Sequence, residues 1–193
     1  MKNVLRFFAG VALVALLSSC GPTEFKFPLS SQTQAVFDQE LFGMWHQRQE
    51  GGDVFLLVGS SKEPNWMEFV FLIKGKSGEA EAMLVRAFPT KIGDKTYLNC
   101  ILRGDLSEVK KESPEVFVLA RYAVQDGHLK LWLTNDSVFD KALEKGILSG
   151  AEGKVTDSAE NVVKFISSQE TYEGEPLFHE FGEYQKVELG QGA

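Results

Sequence analysis

The sequence predicts a mainly β protein, a single closed antiparallel barrel of about eight strands with two short helices before the last strand. Short runs in which apolar and polar residues alternate follow one another from Leu41 onward, separated by glycine-containing turns. Two helical patterns then precede a final strand-like run. A barrel leaves no strand edge exposed, and a β-sandwich is the alternative that periodicity leaves open.

Each predicted strand places its apolar residues on one side, with a period of two. Met67, Phe69, Phe71 and Ile73, for example, share one face. The aromatic residues of these faces fit either a packed core or a partly open apolar pocket. The runs are LFGMWHQR (41–48), VFLLVG (54–59), WMEFVFLIK (66–74), AEAMLVRAF (80–88), TYLNCI (96–101), FVLARYAVQDGHLKLWLT (117–134) and GEYQKVEL (182–189).

The dipeptide Asp126-Gly127 divides the run 117–134 into the two strands of a β-hairpin. This pair favours a two-residue type I′ turn, because glycine tolerates a positive φ. Apolar residues alternate along both strands: Val118, Ala120, Tyr122 and Val124 before the turn, and Leu129, Leu131 and Leu133 after it.

Two segments after the hairpin have helical spacing. In SVFDKALEKG (137–146), Asn135 or Asp136 can cap the start and Gly146 can end the helix. In DSAENVVKFISS (157–168), Asp157 and Glu160 resemble a capping box. Each segment carries an apolar stripe that can pack against a sheet.

The N-terminus begins with Lys2 and Arg6, followed by an uncharged run from Phe7 to Leu17. That run is too short to span a bilayer and has the length of a signal-peptide core. The residues Leu17-Ser18-Ser19-Cys20 look like a bacterial lipobox. We therefore expect residues 1–19 to be a lipoprotein signal peptide and Cys20 to be the lipid attachment site. A plain secretory signal followed by an incidental cysteine is the alternative.

The composition limits the partners of the mature chain. Removal of Lys2 and Arg6 with the leader leaves 18 basic and 27 acidic side chains, a net charge of −9. This charge argues against nucleic acid and against electrostatic adhesion to anionic lipid. We expect the lipid anchor to hold the protein at its membrane, residues 20–37 to form a lipidated tether that is flexible over residues 21–35, and residues 38–189 to form the barrel domain.

Motifs that would indicate catalysis are not found in the sequence. It contains no nucleophile elbow, Walker loop or dinucleotide fingerprint. His46, His128 and His179 are isolated in sequence, so we expect no metal site and no cofactor. Cys100 fits a small buried residue better than a catalytic thiol, which would need a base beside it. We therefore expect that the protein is not an enzyme.

Gly43-x-Trp45, at the start of the first long strand, resembles the G-x-W signature of lipocalin-like barrels. Together with IGDKTYLNC, YAVQDGHLKLWLTN, KGIL and LFHEFGEYQKV, in this order, the chain is similar to a family of uncharacterised bacterial lipoproteins with lipocalin-like domains. The resemblance implies structural roles for Gly43, which allows close backbone approach, and for Trp45, which packs across the closed end. It implies no biochemical activity.

Two functions remain open from the sequence. The first is a lipid-anchored envelope protein whose barrel binds a small apolar or amphiphilic ligand. The second is a non-enzymatic interaction or structural protein with a filled barrel, which engages another envelope protein. Gly21 stands where lipoproteins retained in the inner membrane often carry Asp, so we expect an outer-membrane location facing the periplasm.

Overall fold

The chain is described by a computed structural model that covers residues 22–76, 78–105 and 116–188. The predicted signal peptide and Cys20 lie outside these residues. The strands outside the barrel are β1 (Glu24–Phe25), β9 (Gly150–Ala151), β10 (Lys154–Val155), β11 (Thr171–Tyr172) and β12 (Glu175–Pro176). The barrel strands are β2 (Gly43–Gln49), β3 (Gly52–Ser60), β4 (Met67–Gly75), β5 (Ala80–Ile92), β6 (Lys95–Asp105), β7 (Val118–Gln125), β8 (His128–Thr134) and β13 (Phe178–Lys186).

The prediction of a closed eight-stranded antiparallel barrel is confirmed, and the sandwich alternative is excluded. Strands β2 to β8 pair in chain order, and β13 closes the ring between β8 and β2. All of these pairings are antiparallel. The closing pair β13–β2 is short, with register partners at Gln185–His46 and Lys186–Trp45, while the other neighbouring strands pair over longer stretches.

The predicted hairpin forms between β7 and β8. Gln125 pairs with His128, and the two turn residues have positive φ angles, 52° at Asp126 and 75° at Gly127. These angles are those of the type I′ turn, whose twist matches that of the flanking strands.

Both predicted helices form in the connection from β8 to β13: α1 (Asp136–Glu144) and α2 (Ala159–Ser168). Gly146, with φ 66°, ends α1 in a left-handed turn, as predicted. The cap of α2 differs from the prediction, because Ser158 accepts the Asn161 backbone N–H at 3.3 Å. Asp157 instead accepts hydrogen bonds from the Ser149 N–H and the Asn161 side chain, which tie α2 to the preceding loop.

The up-and-down order gives the barrel two different ends. At the entry end the chain enters β2 at Gly43, and the β7–β8 turn lies at the same end. At the crossover end β8 finishes at Thr134, the helical connection begins, and β13 starts at Phe178. Strand β7 starts at this end, with Val118.

The molecule has two hydrophobic cores, one on each side of the barrel wall. Side chains from all eight strands form a first cluster, which can meet only inside the barrel. A second cluster joins the outward-facing side chains of β5 to β8 and β13 with both helices. Phe139 and Phe165, for example, pack edge to face from α1 and α2 at 5.8 Å between ring centroids.

The prediction that residues 21–35 are flexible is wrong for the described part, residues 22–35, which packs against the barrel wall. Phe25 is 1% exposed and contacts Phe139 edge to face at 5.4 Å. Leu29 is 5% exposed, and its N–H donates to the Asn99 side chain at 2.7 Å. The segment is ordered because α1 and α2 create an apolar groove that isolated Phe and Leu residues can fill.

Asn99 fixes this segment to the outside of the wall. It is fully buried, and its amide also donates to the Phe88 carbonyl at 3.2 Å and to the Thr90 hydroxyl at 2.8 Å. A buried amide with all these partners is stabilising, whereas one without them would cost free energy. The wall and the N-terminal segment therefore form one packed unit.

Candidate functional site

The barrel interior is a candidate ligand-binding site, since lipocalin-like barrels can hold a ligand there. Its central side chains expose almost no surface: Trp45, Leu56, Met67, Ala87 and Leu129 are each 0% exposed. A side chain that lined a ligand-sized cavity would keep surface that a water-sized sphere can reach. The interior is thus packed with side chains in the way of a protein core.

Enlarging an inward-facing residue should distinguish a filled barrel from a carrier. We expect Ala120→Leu to lower the free energy of unfolding by about 1–3 kcal/mol, because Ala120 faces inward between Leu98 and Leu133 and is only 5% exposed. The control is Ala123→Leu on the outward, exposed face of the same strand, with an expected change within about 0.5 kcal/mol. Urea unfolding measures both. A stabilised Ala120→Leu variant would show that the interior has free volume.

Gly43 and Trp45, the residues singled out by the sequence, lie at the entry end. Trp45 is 0% exposed, and its indole N–H donates to the Leu41 carbonyl at 2.8 Å. Gly43 has a φ of 122°, which an L side chain rarely adopts, and the Lys186 side chain passes 3.4 Å from where a Cβ would lie. The two residues therefore position the chain as it crosses the end of the barrel.

Lys186, on the last strand, completes the closure of the entry end and was not anticipated from the sequence. Its ammonium lies 4.5 Å from the Trp45 ring centroid and donates to the carbonyls of Glu40 and Phe42 at 2.5 and 2.7 Å. A cation over an indole face is attracted by the ring quadrupole. One side chain of β13 thus holds the turn before β2 over the buried tryptophan.

The barrel interior contains buried ionisable side chains, among them Cys100, Tyr122 and Tyr184. Burial raises the pKa of the Cys100 thiol to about 12, so it is protonated at neutral pH and a poor nucleophile. Burial also raises the pKa values of the Tyr122 and Tyr184 phenols. Among the described residues no three His, Cys, Asp or Glu side chains converge as metal ligands.

A small crevice opens outside the barrel, between β6, β7 and the C-terminal end of α2. Its volume is about 250 Å³, and its lining is mixed: apolar side chains lie at the floor (Tyr97, Ile166, Leu177 and Phe178), and polar and charged ones surround them. This volume is just below the range of about 300–1,000 Å³ that is common for small-molecule sites. Burial raises the pKa of the Tyr97 phenol above its ordinary value.

Two cations border this crevice. Lys95 and Arg121 share the carboxylate of Glu170, whose side chain is 68% exposed. Arg121 also stacks on Trp132, with its guanidinium carbon 4.3 Å from the ring centroid. An exposed ion pair contributes little free energy, so an anionic group could replace Glu170 at small cost. The crevice combines an apolar floor with a cationic rim.

The outer wall of β3 and β4 carries exposed apolar side chains. Phe55 lies opposite Leu72 and Leu57 lies opposite Val70 across the strand pair. Leu57 and Leu72 are 40% and 38% exposed. Exposed apolar residues that lie side by side in a sheet are more typical of a contact surface than scattered single ones.

A hydrogen-bonded histidine–aspartate pair borders this wall. His46 stacks on Phe55 with 4.7 Å between ring centroids, and its Nε2 lies 2.9 Å from Oδ1 of Asp53. This hydrogen bond to His46 lowers the pKa of Asp53. An apolar centre with a polar rim is the usual anatomy of a protein interface.

Comparisons with known proteins give no relative for this chain: no family model matches it, and neither the curated proteins nor the solved structures contain a significant match. The resemblance to uncharacterised bacterial lipoproteins therefore remains a prediction from residue patterns. No helix within the described ranges combines the length and the apolar character that crossing a bilayer requires.

Proposed function

We propose that this protein is a lipid-anchored, non-enzymatic component of the bacterial envelope that acts through the outer surface of a filled barrel. Cys20 carries the lipid, and the domain faces the periplasm from the outer membrane. Its partner is another envelope protein. The resemblance to bacterial lipoproteins supports the anchor and the location.

The packed interior is the observation that carries this proposal. Trp45, Leu56 and Met67 occupy the space that a carrier would leave for its cargo. A rigid barrel without an internal cavity can still present a defined surface, since function resides in sites placed on a fold rather than in the fold itself. The exposed pairs around Leu57 and Leu72 supply an apolar surface suited to a protein partner.

Binding of a small amphiphilic acid is the second candidate, and the crevice at Lys95 and Arg121 favours it. The floor at Tyr97 and Phe178 would contact an apolar group, while the two cations would bind its carboxylate or phosphate. In this second candidate function the ligand binds outside the barrel rather than within it. The lipocalin-like pattern had instead suggested a ligand inside the barrel.

Crosslinking in the native envelope, combined with native mass spectrometry of the gently purified protein, tests both candidates. We expect a reproducible protein partner and a mass that corresponds to the lipidated chain alone. Recovery that does not exceed a control lipoprotein of the same membrane would contradict the interaction proposal. An additional mass that is lost on denaturation, and is absent from Arg121→Gln, would instead support ligand binding in the crevice.

A further inference from the structure

We infer that the crossover end of the barrel faces the bilayer and that the entry end points away from it. The inference rests on the proposed lipid anchor at Cys20 and specifies which surface of the domain meets the membrane. Its basis is the place where the N-terminal segment first becomes fixed to the domain.

Thr23 is already part of the packed structure. It is 0% exposed, and both its N–H and its hydroxyl donate to Oδ1 of Asp136, at 2.8 and 2.7 Å. Asp136 is the first residue of α1, directly after the crossover end of β8. The chain therefore joins the domain at the crossover end.

The next residues strengthen this attachment. Phe25 exchanges two backbone hydrogen bonds with Phe117, at 2.7 and 2.8 Å, and Phe117 precedes the first residue of β7 at the same end. Strand β1 also pairs in parallel with β10, and the Lys26 N–H donates to the Val155 carbonyl at 2.9 Å. Several backbone hydrogen bonds would have to break, and the buried Phe25 ring would have to leave its packing site. Only then could this segment add length to the connection between Cys20 and the domain.

The connection that remains is shorter than the barrel is tall. From Cys20 to Thr23 the chain spans at most roughly 11 Å when fully extended. A nine-residue strand such as β4, tilted as barrel strands are, corresponds to a height of roughly 20–25 Å. The domain can rock about its attachment, but it cannot invert to place the entry end against headgroups.

This orientation has a consequence for recognition. The closure built by Trp45 and Lys186 lies on the side away from the membrane. The wall with Leu57 and Leu72 extends along the barrel side, so it faces neighbouring proteins in the same membrane rather than the lipid. A partner anchored in that membrane would therefore meet the wall from the side of the barrel.

Site-specific fluorescence quenching tests the orientation. Full-length lipidated protein is reconstituted in phosphatidylethanolamine–phosphatidylglycerol vesicles that contain a headgroup-attached quencher. A thiol-reactive dye is placed at Glu50→Cys, in the exposed β2–β3 turn of the crossover end, or at Lys62→Cys, in the exposed β3–β4 loop of the entry end. The buried Cys100 does not compete for the dye.

We expect quenching to be at least about twofold greater at position 50, since the two ends differ in height by roughly 20 Å. Inserting a Gly-Ser linker of about 15 residues between Pro22 and Thr23, with a reach of roughly 20–23 Å, should reduce this difference. Equal quenching at the two positions, or more at position 62, in protein whose mass shows acylated Cys20 would overturn the orientation alone. Absence of acylation would overturn the anchor and, with it, the orientation.

Discussion

Trp45→Ala is expected to cost about 3–5 kcal/mol of unfolding free energy, the range for removing a large aromatic side chain from a packed core. Trp45 is 0% exposed, so its loss leaves a cavity that the surrounding strands can fill only in part. The substitution also removes the indole N–H that donates to the Leu41 carbonyl and the ring beneath the Lys186 ammonium. Because small domains are stable by only about 5–15 kcal/mol, urea unfolding should show a large fall in the midpoint.

Two further variants separate the contributions at Trp45. Trp45→Phe keeps most of the apolar volume but leaves the Leu41 carbonyl without its indole donor, so we expect a smaller loss of about 1–3 kcal/mol. Phe27→Ala removes an aromatic ring that is 44% exposed, and its effect should stay within about 0.5 kcal/mol. If Trp45→Ala were as stable as Phe27→Ala, the closure of the entry end would contribute little to the fold.

The local patterns of the sequence were sufficient to predict most of the barrel. Asp126-Gly127 predicted its turn because the conformation depends on those two residues and their immediate neighbours. The face shared by Met67, Phe69 and Phe71 was predicted in the same way, since alternation along one strand needs no knowledge of its partners.

Contacts between distant segments could not be predicted in this way. Phe25 and Leu29 are isolated apolar residues among polar ones, so they resemble a linker until the groove that they fill exists. That groove needs Phe139 from α1 and the outward face of β6. Apolar periodicity describes one element at a time, and burial of the N-terminal segment is decided by elements far along the chain.

The candidate sites illustrate the same limit. The sequence named Trp45 but not Lys186, because a single lysine on a last strand has no distinctive pattern. The crevice depends on Arg121 and Glu170, which are brought together only after α2 packs against the wall. The sequence also left open whether the aromatic strand faces line a pocket or fill a core, and the burial of Phe69 and Phe71 supports the core.

The anchor is the feature on which location depends most, and we expect Cys20→Ala to abolish acylation and so remove the lipid that holds the mature domain at its membrane. Each buried methylene of an attached lipid contributes about 0.8 kcal/mol to membrane binding. The acidic domain cannot replace this attraction, because a net charge of −9 is repelled by anionic headgroups. Fractionation of the envelope and the intact mass of the chain are the measurements.

Matched variants make this result interpretable. Cys100→Ala changes the other cysteine, which is buried in the barrel, and should leave the chain acylated and in the membrane fraction. Since an uncleaved leader would itself hold a Cys20→Ala precursor at the bilayer, a second form replaces residues 1–20 with a cleavable secretory signal. That form should be fully soluble after osmotic release of the periplasm. If it remained with the membrane, a protein partner rather than the lipid would hold the domain in place. The partner would then be expected to bind the outer surface of the barrel.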